Sequence, residues 1–94
     1  MSPRPKKPRN CTCPHRPPGS RVFKPAGTPL NELGKILLEH DELEALHLCD
    51  GEGLTQDEAG QRMGVSRGTV QRLVAGGRKK MIQAIVAGRA LIIG

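Results

Sequence analysis

Apolar residues recur at helical spacing through the second half of the chain and nearly vanish from its first quarter. Leu43, Leu46 and Leu48 give one side to a helix predicted over 41–49, with Asp41 as its cap and Glu44 three positions on. Gly51 is expected to end it in the left-handed conformation. Thr55 followed by Glu58 is a capping box and predicts a second helix over 55–63, stopped by Gly64. Ser66 is a fresh N-cap for a third helix over 67–75. On it Val70, Leu73 and Val74 share one face, while Arg67, Gln71, Arg72 and Arg78 fall largely on the other. Gly76 and Gly77 each cost about 1 kcal/mol relative to alanine inside a helix. They predict a bend or a break there, with a fourth helix over 78–87 whose face is Met81, Ile82, Ile85 and Val86.

Two apolar runs are too short to type. Residues 36–38 stand between Gly34 and the first helix. Residues 91–93 form a closing patch that either packs on the core or pairs with a second subunit. Thr28 and Pro29 read as a cap and first position of a short turn ended by Gly34, with Phe23 as an anchor for the entry into the fold. The reading is an all-α domain of three to four helices over 23–94.

The twenty residues from Gln56 to Ala75 meet the demands of a helix-turn-helix. Crossing helices need a small residue at their closest approach, and Gly60 supplies it. The turn needs a residue tolerant of positive φ, and Gly64 supplies it. Ala59, Met63, Val65, Val70 and Leu73 seal the joint. Ser66, Arg67, Thr69, Gln71 and Arg72 give the second helix the polar, basic leading half that enters a major groove. The plainer alternative is a helical hairpin in a small bundle that binds no nucleic acid. The absence of acids after Glu58 weighs against it, because a solvated face usually mixes both signs.

Charge sharpens this picture. The 94 residues carry +6, but the sum divides into +7 over residues 1–29, −8 over 30–58 and +7 over 59–94. Two basic ends around an acidic middle suit a molecule that meets a polyanion on one side only. The acidic stretch 39–58 is expected to face away from it. All eight prolines lie in the first 29 residues and exclude a helix there. Residues 1–22 are expected to form an extended or disordered basic arm. Arg4, Lys6, Lys7 and Arg9 would follow phosphates, or merely keep the chain solvated. A chain this small has a thin core and little room for an enzyme pocket. No run approaches the roughly 18 apolar residues of a membrane span, and no apolar leader opens the sequence. We expect a cytoplasmic protein without membrane contact.

Several stretches together resemble a family of small, uncharacterised bacterial and archaeal proteins grouped as candidate DNA-binding proteins. These are PRPKKPRN near the start, FKPAGTPL at 23–30, the whole of 41–73 and the closing AGRALIIG. The 41–73 portion also resembles the promoter-reading C-terminal helix-turn-helix of sigma factors. The resemblance implies a wingless, sigma-like domain and a role in transcription regulation. Some relatives carry a fused domain similar to iron-molybdenum cofactor biosynthesis proteins, and nothing here is long enough to be one. The sequence departs from the family pattern at Gly60, where alanine is usual, at Gly68 in the recognition helix, and at Gly76 and Gly77.

Contacts follow from side-chain chemistry. Arg67, Gln71 and Arg72 are candidates for base edges or nearby phosphates, since arginine matches guanine O6 and N7 and glutamine matches adenine N6 and N7. Ser66 and Thr69 would bond phosphate through hydroxyl or backbone N–H groups. Arg62, Arg78, Lys79 and Lys80 are expected on phosphates only. Double-stranded DNA is the expected partner. A domain this small would need a homodimer or the transcription machinery for useful specificity.

Cys11, Cys13 and His15 are zinc-type ligands, and Cys49 or His47 would complete four. The cluster lacks the two-residue gap of structural zinc sites and lies among prolines, so free thiols and no cofactor are the expectation. Two other functions compete with DNA binding. One is an RNA- or ribosome-associated basic protein that uses the arm without reading bases. The other is a protein-docking adaptor, with a metal-pinned arm as a variant. No paired acid and base, nucleophile elbow or phosphate loop points to an enzyme.

Overall fold

The two untyped apolar runs pair with each other. In the computed structural model, which describes residues 21–94, they form strands β2 (Lys35–Leu38) and β3 (Ala90–Ile93), joined by β1 (Arg21–Phe23). The central strand is β3. It runs antiparallel to β1, with Val22 opposite Ile92, and parallel to β2, with Leu38 opposite Ile93. A parallel pair needs a long crossover, and here the crossover is the whole helical part of the chain. The all-α expectation is therefore overturned: this is a small α/β domain with a three-stranded mixed sheet.

The helical part comprises α1 (His40–Leu46), a five-residue π turn (His47–Gly51), α2 (Gln56–Met63) and α3 (Arg67–Ala87). Leu38 and Ile93, paired on one face of the sheet, enter the same core as Ala45, Leu46, Leu48, Ala59, Val70 and Val74. The strands thus close the base of the helices. Leu38 and Val70 are fully buried, each a contribution of about 2 kcal/mol from apolar transfer.

Other expectations are corrected. α1 starts one residue earlier than predicted, because Glu42 caps it: its Oε1 accepts the Glu39 N–H at 2.9 Å. Its last turn widens into the π turn, where the Glu52 N–H reaches the His47 carbonyl at 2.8 Å. Gly53, not Gly51, takes the left-handed conformation after it, at φ 77°. Phe23 is not a buried anchor among the described residues, for it lies on an edge strand opposite Leu91 and is 57% exposed. Thr28 makes no helix cap, and the turn there is a single 3-10 turn (Leu30–Glu32).

The largest correction concerns Gly76 and Gly77. α3 runs unbroken through both for 21 residues. A β-carbon on Gly77 would stand 2.6 Å from Leu46 Cδ1, and one on Gly76 would stand 3.1 Å from Glu42 Oε2. The glycines let α1 lie against α3, and the packing gained offsets their poor helix propensity. α3 ends at Gly88, left-handed at φ 67°, where the Arg89 N–H reaches back to the Ala84 carbonyl at 2.8 Å. The Ala90 N–H then bonds the Gly34 carbonyl at 2.8 Å and begins the parallel ladder.

Candidate nucleic-acid interface

The reciprocal capping box starts α2. The Glu58 N–H donates to Thr55 Oγ1 at 3.1 Å, and the Thr55 N–H donates to Glu58 Oε1 at 2.8 Å. Gly64 stops the helix in the left-handed conformation at φ 74°. Its neighbour Val65 then donates its N–H to the Gly60 carbonyl at 2.9 Å. The turn folds so tightly on α2 that a β-carbon at Gly60 would stand 2.7 Å from the Val65 carbonyl oxygen. Gly60 and Gly64 thus act as the sequence predicts.

Ser66 caps α3, with Oγ accepting the Thr69 N–H at 3.2 Å. The two hydroxyl oxygens of Ser66 and Thr69 are 3.0 Å apart, and Arg72 Nη2 approaches Thr69 Oγ1 at 3.5 Å. Both hydroxyls are therefore engaged within the helix end. Groups free to meet a phosphate there are the N–H groups of Arg67 and Gly68, which have no acceptor one turn back. Gly68 adds no side chain, and a β-carbon there would meet nothing closer than Ser66 Oγ at 4.0 Å. In the sequence Gly68 stands out only as a departure from the family pattern within this helix.

Val70 and Val74 turn inward and are buried, with Leu73 half-buried beside them. This fixes the rotation of α3 and leaves Arg67, Gln71 and Arg72 exposed. Arg62, in the last turn of α2, is exposed as well.

The structure does not keep the basic run 78–80 together. Arg78 donates from Nε to Asp50 Oδ2 at 3.0 Å and from Nη2 to Asp50 Oδ1 at 2.6 Å. These bonds hold the Asp50 carboxyl below the usual carboxylate range and raise the guanidinium above its own. Lys80 Nζ donates to the largely buried Glu42 Oε1 at 2.7 Å. Both cations thus anchor α3 to the acidic segment. Lys79 alone of the three is exposed and makes no ion pair among the described residues.

Of the zinc-type ligands, Cys49 is half-buried against the core. His47 pairs Nε2 with Glu52 Oε2 at 3.0 Å. Among the described residues no three His, Cys, Asp or Glu side chains converge on a metal-sized position. Cys11, Cys13, His15, Arg4, Lys6, Lys7 and Arg9 lie outside the described residues. No helix among the described residues is long and apolar enough to cross a membrane.

These elements define a small mixed α/β domain in which two helices meet at a glycine turn and the second presents an acid-free, arginine-bearing face. The chain belongs to the family described as "Protein of unknown function DUF134", whose model matches residues 1–94. A UPF0251 protein of Thermococcus kodakarensis is 54% identical over 77 residues, covering 81% of this chain and 68% of its own. One of Desulforudis audaxviator is 50% identical over 74 residues, covering 79% of this chain and 48% of its own. One of Pyrococcus abyssi is 52% identical over 77 residues, covering 81% and 70%. The family thus spans archaea and bacteria, and some of its members are about twice the matched length. No solved structure matches the chain.

Proposed function

We propose that the chain binds double-stranded DNA through the leading half of α3 and acts in transcription regulation. In this reading Arg67, Gln71 and Arg72 reach base edges or adjacent phosphates in a major groove. Arg62 and Lys79 hold the backbone to either side. The N–H groups at Arg67 and Gly68 receive a phosphate at the helix start.

One observation supports the reading above the rest, which is how the cations of α3 are divided. Arg78 and Lys80 are taken up by Asp50 and Glu42, whereas Arg67, Arg72 and Lys79 make no ion pair among the described residues. A purely structural helix would have little reason to leave its exposed leading turns rich in arginine and free of acid.

The test is a titration of the labelled chain with duplexes selected from random sequence, compared with structured RNA in matched salt. DNA binding moves the amide signals of residues 66–72 and favours the duplex. Signals that stay in place at low ionic strength, or a preference for the RNA, would remove the proposal.

A further inference from the structure

Apolar side chains on the trailing half of α3 are left uncovered by the described residues. Ile82 is 59% exposed, Ile85 72% and Val86 80%, with Met81 at their margin. Their spacing puts them along one flank of the helix. They leave roughly 500 Å² of apolar surface outside the core, at the upper end of the ~300–600 Å² that a monomer shows.

Beside this ridge lies its complement. A shallow hollow of about 170 Å³ is lined by Leu46, Asp50, Arg78, Met81 and Ile82. Ile85 projects about one helical turn beyond it on the same flank. Knob and hollow therefore adjoin on one surface. A two-fold axis passing between them, near Ile82, carries the Ile85 of each copy to the hollow of the other. That is the condition for an isologous contact, in which one patch is used twice. The charge at the rim is already matched, since Arg78 is held by both oxygens of Asp50. Covering the hollow strands no unpaired cation.

We propose that this face binds a second copy of the chain, with the trailing halves of α3 crossing and each Ile85 seated between Leu46 and Met81 of its partner. Two such patches cover about 1,000 Å², near the lower limit for a specific interface, so the pair is weak in isolation.

A consequence rests on the DNA-binding reading. The middle of residues 66–72 lies about 20 Å along the straight α3 from the crossing point. With the α3 axes within ~50° of antiparallel, the two arginine faces lie about 36–40 Å apart, and because Arg67 stands five whole turns from Ile85 they point to opposite sides of the pair. The unbroken passage of α3 through Gly76 and Gly77 sets that span.

Sedimentation equilibrium of the full chain, with Ile85→Glu and Ile82→Glu as variants and circular dichroism to confirm their folding, tests the pairing. The wild-type mass should rise toward two chains with concentration, and both variants should stay at one. On a duplex with a single selected half-site, Ile85→Glu should bind within ~twofold of the wild type, since the two sites lie far apart on α3. A wild-type chain that stays monomeric at every concentration and on duplex overturns the proposal, as does an Ile85→Glu chain that still pairs. Pairing that Ile85→Glu abolishes, in a chain that binds no duplex, upholds this face and removes the DNA reading alone.

Discussion

Gly77 of α3 lies beneath Leu46 of α1, so close that a β-carbon there would stand 2.6 Å from Leu46 Cδ1 and 3.2 Å from Cγ. Leu46 is buried, and its branch carbon Cγ as well as its Cδ1 methyl would have to shift to admit a β-carbon. Gly77→Ala should therefore destabilise the fold by about 1–3 kcal/mol through overpacking, despite its helix propensity. Gly68→Ala, on the open face of the same helix, should stabilise it by up to ~1 kcal/mol. Urea denaturation of both variants checks the opposite signs. Two stabilising shifts would mean that propensity, not contact, governs these positions.

Gly60 makes a similar prediction at the turn. A methyl group there meets the Val65 carbonyl oxygen at 2.7 Å, a backbone atom that cannot rotate away. Gly60→Ala should cost about 1–3 kcal/mol and shift the amide signals of Val65 and Ser66. Alanine accepted without loss would show that the turn has slack.

The ion pair between Glu42 and Lys80 is the more buried of the two that anchor α3. Glu42 Oε1 also accepts the Glu39 N–H that begins α1. Glu42→Ala should cost about 1–3 kcal/mol, since it removes a cap and leaves a half-buried ammonium unmatched. Lys80→Ala should cost less, because Glu42 keeps its capping bond. Thermal denaturation of the two variants gives the order, and a larger loss for Lys80→Ala would contradict the assignment.

Asp50 links stability to acidity. Its carboxyl is held below the usual value of 3.8, chiefly by the hydrogen bonds from Arg78. A group depressed in the folded state contributes stability that is fully present above its unfolded pKa and fades as the pH falls through the folded one. The stability difference between the wild type and Asp50→Asn should thus be constant at neutral pH and narrow on acidification below about 3.8. Melting curves from neutral to strongly acidic pH show the narrowing. A difference that widens in acid would reverse the sign assigned to Asp50.

Under the proposed function, DNA affinity should separate the cations of α3 by their partners. Arg67→Ala or Arg72→Ala should cost about 1–3 kcal/mol and relax preference at the bases they meet. Lys79→Ala should weaken binding evenly across sequences and reduce the salt slope by about 0.9. Arg78→Ala should reduce folding stability more than affinity, since Arg78 is bonded to Asp50. Salt-dependent titrations of the four variants on selected and random duplexes distinguish the three patterns.

Much of the local structure was legible in the residues. Thr55 with Glu58, Gly64, and Ser66 each act within one turn of the backbone, so a few adjacent residues carry the whole signal. The exposed face of Arg67, Gln71 and Arg72 follows from Val70 and Val74 turning inward. The ion pairs of Arg78 and Lys80 were not legible for the opposite reason. Their partners Asp50 and Glu42 belong to the π turn and α1, and no spacing rule connects those positions to α3.

The sequence alone determined where α2 and α3 begin, where the turn between them falls, and which cations precede Gly76. Tertiary structure decided the sheet, the continuity of α3 and the pairing of its later cations. The physical reason is range. Caps and glycine turns are satisfied by neighbours in the chain, and residue types report them directly. A four-residue run such as β2 or β3 has no periodicity of its own and becomes a strand only when its hydrogen bonds meet a partner from the other end of the domain. Gly77 likewise reads as a helix breaker until Leu46 is laid against it.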